Sequence, residues 1–235
     1  MNEDIMMENG KSEAKDRLPN VSPAVIRRLP RYHRFLGELL RKNCLRISSA
    51  ELSELMEVTA SQIRQDLNCF GGFGQQGYGY NVRYLYEQIG NLLGAYDDFT
   101  AIVLGAGNLG RALVNSHMFE RRGVKRIAMF DVDPALIGTT IAGLPVYDIG
   151  ELADFCAKNT VDIGVLTTPK NVAERVARDL AAAGVCGIWN FSNMELALPD
   201  YPDVTIENMH MGDSLMLLCY NLKEKREEKK QSETL

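Results

Sequence analysis

The chain has 235 residues, 46% hydrophobic and 24% charged, with a formal net charge of −5, which describes a globular protein of one large or two modest domains. No apolar run approaches the ~20 residues that cross a bilayer, and the acidic opening "MNEDIMMENGKSEAKD" lacks the basic start and apolar core of a leader, so the expected place is the cytoplasm, away from any membrane. Five cysteines (Cys44, Cys69, Cys156, Cys186, Cys219), odd in number and without a CxxC pair, argue against a disulfide framework and a metal site and point to buried, reduced thiols.

Charge divides along the chain. Residues 17–84 hold ten Lys+Arg against five Asp+Glu, whereas residues 1–16 hold two against five and residues 85–235 fourteen against twenty-one. A basic block on an acidic protein is an electrostatic footprint for phosphates. Ahead of it, residues 1–20 read as a disordered acidic tail. In "SPAVIRRLPRYHRFLGELLRK", Ser22 is a plausible N-cap with Pro23 at the first helical position, and Ile26, Leu29, Leu36, Leu39 and Leu40 supply an apolar face; Pro30 kinks or divides the helix. "SSAELSELM" opens on a capping serine, Ser48 or Ser49, and directs Leu52 and Leu55 inward. Thr59 and Gln62, spaced as T-x-x-Q, predict a capping box for a third helix, which turns Ile63 and Leu67 inward and leaves Gln62, Arg64, Gln65 and Asn68 outside. Two short helices joined by a tight turn, the second polar outside, fit a helix-turn-helix. Gly71, Gly72, Gly74, Gly77 and Gly79 then rule out more helix and permit a tight hairpin. An outward polar helix followed by a ribbon is the anatomy of a winged helix, here over residues 21–84. The plainer alternative is a solvated amphipathic helix and a flexible loop. "RYLYEQIGNLLGAY" reads as a helix that connects the two halves over residues 85–98.

Residues 99–206 read as a nucleotide-binding domain. In "TAIVLGAGNLGRAL" an apolar strand runs into Gly105, Gly107 and Gly110 in G-x-G-x-x-G spacing, with Ala106, Asn108 and Leu109 between them, and then into a helix. The first glycine makes the turn, the second admits a pyrophosphate and the third lets helix and strand pack closely, so that phosphates lie on the helix N-terminus. "RIAMFDVD" is a second strand ending at Asp131, next to Val132 and twenty-one residues after Gly110, where an acidic side chain takes up ribose hydroxyls. A carboxylate there repels a 2′-phosphate, so NAD(H) is expected over NADP(H). "VDIGVLTT", "VCGIWNF" and "DVTIEN" are further strands, "PKNVAERVARDLAAAG" and "GDSLMLLCYNLK" helices, and Thr167, Thr168 and Pro169 end a strand where such sheets bind ligands. Trp189 and Phe191 read as strand packing and His33 and His117 as structural. The charged tail, residues 223–235, reads as disordered. The expected fold is thus α/β: a winged helix followed by a doubly wound parallel sheet.

In "SSAELSELMEVTASQIRQDLNCFGGFGQQGYGYNV", "GAGNLGRAL", "FDVDP", "TTP" and "GIWNF", taken in that order, the chain resembles the Rex family of redox-sensing transcriptional repressors over about residues 21–222. The resemblance implies a non-enzymatic homodimer that binds operator DNA when NAD+ dominates and releases it when NADH binds, with a C-terminal helix exchanged between subunits within residues 207–222. It implies DNA contacts from Ser61, Gln62, Arg64 and Gln65 on the recognition helix, with Arg64 and the following Gln65 as base readers, and from Gln75, Gln76, Gly77 and Tyr78 on the wing. It adds Asn190 to the cofactor site and places Ser116, His210 and Met211 around the nicotinamide. It also matches Arg34 to a residue that bridges the two domains. The chain departs from the family pattern in four places: Gln65 stands where many members have Lys, the wing tip from Gln75 to Tyr78 lacks the basic residue that some relatives insert into the minor groove, Ser116 stands where a Tyr is common, and His210 and Met211 where an Asp-aromatic pair is common. The rival readings are an NAD-dependent dehydrogenase, for which no substrate domain is left over, a thiol-based regulator, and a coenzyme A-type nucleotide-binding protein.

Overall fold

The structure, a computed structural model, describes residues 21–68, 74–75 and 79–232, and divides into two compact units, up to Tyr96 and from Asp97. The first unit opens with α1 (Pro23–Ile26), capped by the Ser22 hydroxyl, which accepts from the Val25 amide at 3.4 Å. Pro30 divides the basic segment rather than kinking it: the proline occupies the first turn of α2 (Leu29–Arg41), where its missing N–H costs nothing. After β1 (Arg46–Ile47) comes α3 (Ser49–Met56), closed by a full capping box between Ser48 and Glu51. Next come α4 (Ala60–Asn68), β2 (Gly74–Gln75), β3 (Gly79–Asn81) and α5 (Val82–Leu92). The strands form an antiparallel sheet in the order β1-β3-β2, the arrangement of a winged helix. The acidic tail 1–20 and the wing residues Gln76, Gly77 and Tyr78 lie outside the described residues.

Three readings change in this unit: the inward residues of α1 and α3, the T-x-x-Q box and the connecting helix. Leu55 and Ile26 are 45% and 44% exposed; Met56 takes the inward place beside Leu52, since the two stand four residues apart on one face of α3. The T-x-x-Q box is half made: Thr59 accepts from the Gln62 amide at 3.2 Å, but the Gln62 side chain turns to Asp66 instead of back to the cap. The expected connecting helix belongs to the first unit, since α5 begins at Val82 and buries Leu85 and Ile89 with Leu29, Tyr32 and Leu36 of α2. His33 is buried and stacks on Tyr86 of α5, ring centroids 4.1 Å apart.

In the second unit the chain runs β4 (Phe99–Leu104), α6 (Asn108–Asn115), β5 (Val124–Asp131), β6 (Thr140–Ile141), β7 (Leu144–Asp148), α7 (Leu152–Lys158), β8 (Ile163–Leu166), α8 (Lys170–Ala182), β9 (Gly187–Asn190), β10 (Thr205–Asn208) and α9 (Met211–Ser232). The sheet order is β10-β9-β8-β4-β5-β7-β6, parallel except for the edge pair β6/β7. This is the doubly wound α/β arrangement: β4 sits in the middle, the chain builds outward through β5 to one side, then returns to β8 on the other. The sheet order therefore reverses between β4 and β8, the crevice where such sheets bind ligands. Ile102, Leu104, Phe130, Leu166 and Ile188 fill one face of the sheet with α8, and Val103, Met129 and Val165 the other; Trp189 and Phe191 pack there edge to face at 4.6 Å.

Two corrections concern the C-terminus. Asn208 ends β10, and the terminal helix begins at Met211 and continues to Ser232, so most of the tail expected to be disordered is helical; an ion pair one helical turn apart, Lys223 to Glu227 at 3.9 Å, supports it. Cys69 lies outside the described residues, and the four described cysteines are more open than expected. Cys186 and Cys219 are exposed, and Cys44 and Cys156 half-buried.

Candidate functional site

Each element of the glycine fingerprint has a physical reason in the second unit. Gly105 leaves β4 with φ +103°, and a Cβ there would lie 2.9 Å from the Thr167 carbonyl oxygen. At Gly110 a Cβ would come within 2.0 Å of the Gly105 oxygen, so only glycine lets α6 close on the strand. At Gly107, by contrast, a Cβ would meet nothing within 4 Å. That open space faces the start of α6, whose N-cap is Gly107 itself and offers no side-chain acceptor to the first amides, including those of Asn108 and Leu109. Free amides at the positive end of a helix dipole beside an open volume suit an anion.

The turn is held from two sides. Asp131, at the end of β5, accepts from the Ala106 amide at 2.5 Å through Oδ2, and from the Val132 and Asp133 amides at 2.7 and 3.0 Å through Oδ1. Arg111 of α6 reaches back and donates Nε to the Ala106 carbonyl at 2.7 Å. The acidic residue expected to take ribose hydroxyls thus also fixes the glycine turn, a role that no spacing rule reveals. Val132 beside it is 69% exposed.

Across the crevice Thr167 donates its hydroxyl to the Leu104 and Gly105 carbonyls at 3.0 and 2.8 Å, locking the β8 loop to the glycine turn. The next hydroxyl, Thr168 Oγ1, is buried with no hydrogen-bond partner among the described residues. A buried polar atom without a partner costs free energy; a ligand seated in the crevice would supply one. Pro169 caps α8 from an exposed position.

Four other expected residues have different surroundings. Asn190 is buried and its amide is consumed internally: it donates to the Met194 carbonyl and Asn208 at 2.9 and 2.8 Å and accepts from the Ser192 amide and hydroxyl. Its side chain therefore ties β9 to β10 and the following loop. Ser116 ends α6 and donates back to the Leu113 carbonyl at 2.7 Å. His210 sits 2.9 Å from Glu195 just ahead of α9, whose first residue Met211 is 59% exposed.

In the first unit α4 presents a polar surface. Ser61, Arg64, Gln65 and Asn68 are exposed, Gln62 is half-buried, and Ile63 and Leu67 are fully inside. Arg64 donates to the Ser49 hydroxyl of α3 at 3.0 Å, which steadies its long stem without using up the guanidinium's five donors. Gln75 lies in β2. Arg34 is exposed, with its guanidinium 5.4 Å from the centre of the Phe35 ring.

Sequence reasoning overlooked Asp66. This residue has no exposed surface and receives Arg28 twice (2.7 and 2.6 Å), the Tyr32 hydroxyl at 2.9 Å and the Gln62 amide nitrogen at 2.9 Å. Burial alone would push its carboxyl up, but the hydrogen bonds from Arg28, Gln62 and Tyr32 outweigh burial and hold it below the ordinary carboxylate range. The same cluster raises Tyr32 above its usual range, chiefly by burial. A signal was present: Ile63 and Leu67 define the inward face of α4, and position 66 falls on it.

Comparison with known proteins agrees with both halves. Residues 97–194 match the family model described as a CoA binding domain, and residues 20–68 one described as a putative DNA-binding protein N-terminus. The redox-sensing transcriptional repressor Rex of Clostridium botulinum is 49% identical over 90% of this chain and all of its own length. The Rex of a Thermoanaerobacter species is 53% identical over 87% of this chain and 90% of its own. Two solved structures are similar throughout. RSP in complex with β-NAD+ and operator DNA is 52% identical with a TM-score of 0.80, covering 90% of this chain and 97% of that one. RSP in complex with β-NADH is 48% identical with a TM-score of 0.81, covering 90% and 98%. A winged helix carrying a polar recognition helix, a glycine turn braced by Asp131 at the switch point of a doubly wound sheet, and about half of all residues shared over nearly the whole length lead to one family: the chain belongs to the Rex redox-sensing transcriptional repressors.

Proposed function

We propose that this protein is a non-enzymatic repressor that binds operator DNA through its first unit as a homodimer, binds NAD+ or NADH in its second, and leaves the DNA when NADH is bound. The observation that carries the reading is the crevice between β4 and β8, where the open volume at Gly107, the uncapped start of α6 and the partnerless Thr168 hydroxyl fit a dinucleotide diphosphate. Gly105, Ala106, Gly107, Asn108, Leu109 and Gly110 would hold that diphosphate, Asp131 and Val132 the adenosine ribose, and Thr167, Thr168 and Pro169 the facing side. The carboxylate of Asp131 disfavours a 2′-phosphate, so NAD(H) is preferred to NADP(H). When bound, the cofactor supplies a nicotinamide ring that is cationic when oxidised and neutral when reduced. Ser116, His210 and Met211 are the residues assigned to that end.

The homodimer rests on α9. Leu215, Met216, Leu217, Leu218, Tyr220 and Leu222 are each 48–73% exposed, an apolar surface too large to be left in water. Exchange of this helix with a second copy would cover it, and the same exchange would carry His210 and Met211 toward the other copy's cofactor. On the first unit, Ser61, Gln62, Arg64 and Gln65, together with wing residues Gln75, Gln76, Gly77 and Tyr78, are assigned to the DNA.

The match to a CoA binding domain gives a second reading, in which the crevice takes coenzyme A. Calorimetry with NADH, NADPH and coenzyme A separates the two. NADH should bind most tightly; coenzyme A binding without NADH binding would replace the redox reading.

A further inference from the structure

We propose that Asp66 sets the Gln62 amide so that its carbonyl is offered to DNA as an acceptor, making Gln62 a reader of bases with an exocyclic amino group in the major groove, adenine or cytosine. The inference rests on the reading that α4 enters that groove. Its basis is the direction of one hydrogen bond.

Asp66 is held through both oxygens and, as a carboxylate, only accepts. It has no exposed surface, and Arg28 and Tyr32 fix both of its oxygens from α2 and the turn before it. Gln62, four residues earlier on α4, comes within 2.9 Å of Asp66 Oδ1. The two ends of a glutamine amide look alike in shape, and only the hydrogen-bond partner distinguishes them. Here the partner is an ionised carboxylate, which a carbonyl oxygen at that distance would repel. The nitrogen must therefore face Asp66 and Oε1 must face away from it. Among the described residues no group donates to that oxygen, and Gln62 is half-buried, which limits its other rotamers.

An oxygen so placed complements the N6 amino group of adenine or the N4 amino group of cytosine, and opposes the O6 and N7 acceptors of guanine and the O4 of thymine. With adenine, one Nε2 hydrogen can also reach N7 while the other stays on Asp66. The orientation is complementary to Arg64, which can only donate and so suits guanine. Asp66 is then a positioning residue, acting on the bases through Gln62.

Selection of duplexes from a random library by the full-length protein, followed by anisotropy with single-base variants, tests this. Each half-site should contain a position where adenine or cytosine is preferred about tenfold. Gln62→Ala, with an unchanged melting temperature, should flatten that preference while the guanine preference assigned to Arg64 persists. Asp66→Asn should blur the same position, because it frees the amide to turn over. Replacing adenine there by 7-deazaadenine should weaken binding if adenine is the base read, and a preference for cytosine identifies the N4 amino group instead. An unchanged pattern in Gln62→Ala would overturn the proposal, as would an equal loss on every sequence, the mark of a phosphate contact. Failure of the wild-type protein to select any sequence would instead defeat the repressor reading on which the proposal rests.

Discussion

Asp66 and Asp131 are both carboxylates that organise the groups around them, Asp66 by gathering Arg28, Tyr32 and Gln62 and Asp131 by holding three backbone amides. Asp131 stands at a fixed interval from the glycines, because ribose and diphosphate are a fixed distance apart. Asp66 depends on Arg28 and Tyr32, 38 and 34 residues away, and no local pattern encodes a partner at that range. Removing one side of a buried ion pair leaves the other charge uncompensated, so Asp66→Ala should destabilise the protein by about 3 kcal/mol; that is the low end of the range, as Arg28 keeps 35% of its side chain exposed. Urea unfolding of the full chain measures it. Because the folded-state carboxyl lies below its unfolded value of ~3.9, the stabilisation is fully present above that pH and is lost as pH falls through the lower folded value. Asp66→Ala should abolish this acid-dependent component, and an identical acid profile in wild type and variant would count against the cluster. At Asp131, loss of an acceptor for three amides and for the ribose proposed there should weaken NAD+ and NADH alike by at least about tenfold, since charge-assisted hydrogen bonds are worth ~1.5–3 kcal/mol. Calorimetry with both forms decides it; unchanged affinities would rule the role out.

Among the elements, the helices with strong caps and the strands with apolar runs were read from the sequence, and the short or externally stabilised ones were not. Ser22 and Ser48 cap as expected. The edge pair β6/β7 and the helix α7 were missed: β6 has two residues and α7 seven, too few to display a period. The α9 extension was misread because a tract without apolar residues gives no inward face, although i,i+4 charge pairs can sustain a helix. Two elements carry functional predictions. On α4, Arg64→Ala should lose about 1–3 kcal/mol of discrimination at a guanine while leaving NADH affinity intact; footprinting that shows unchanged protection would contradict the assignment. On α9, Leu218→Asp places a charge in the surface assigned to the second copy. Sedimentation should then report dissociation to monomers, and a persistent dimer would place the interface elsewhere.

At the scale of the whole molecule, the contacts with adenosine and diphosphate are common to NAD+ and NADH, so they cannot bias a protein between DNA-bound and free states. A ligand moves a two-state equilibrium only by its difference in affinity for the two states, and a shift from 1:99 to 99:1 needs ~5.5 kcal/mol of such difference. That difference must arise where the two forms differ, at the ring. Ser116, His210 and Met211, the residues proposed for that end, include no carboxylate, so the response is expected to be shallower than in relatives with Tyr and Asp at these places. The most direct test of the account is fluorescence anisotropy of a labelled operator duplex with the full-length protein, titrated with NADH and, separately, with NAD+. NADH should release the duplex and NAD+ at the same concentration should leave it bound, with a large NAD+ excess pushing the NADH midpoint upward. A duplex that stays bound at every NADH concentration, or is released equally by both forms, would contradict it.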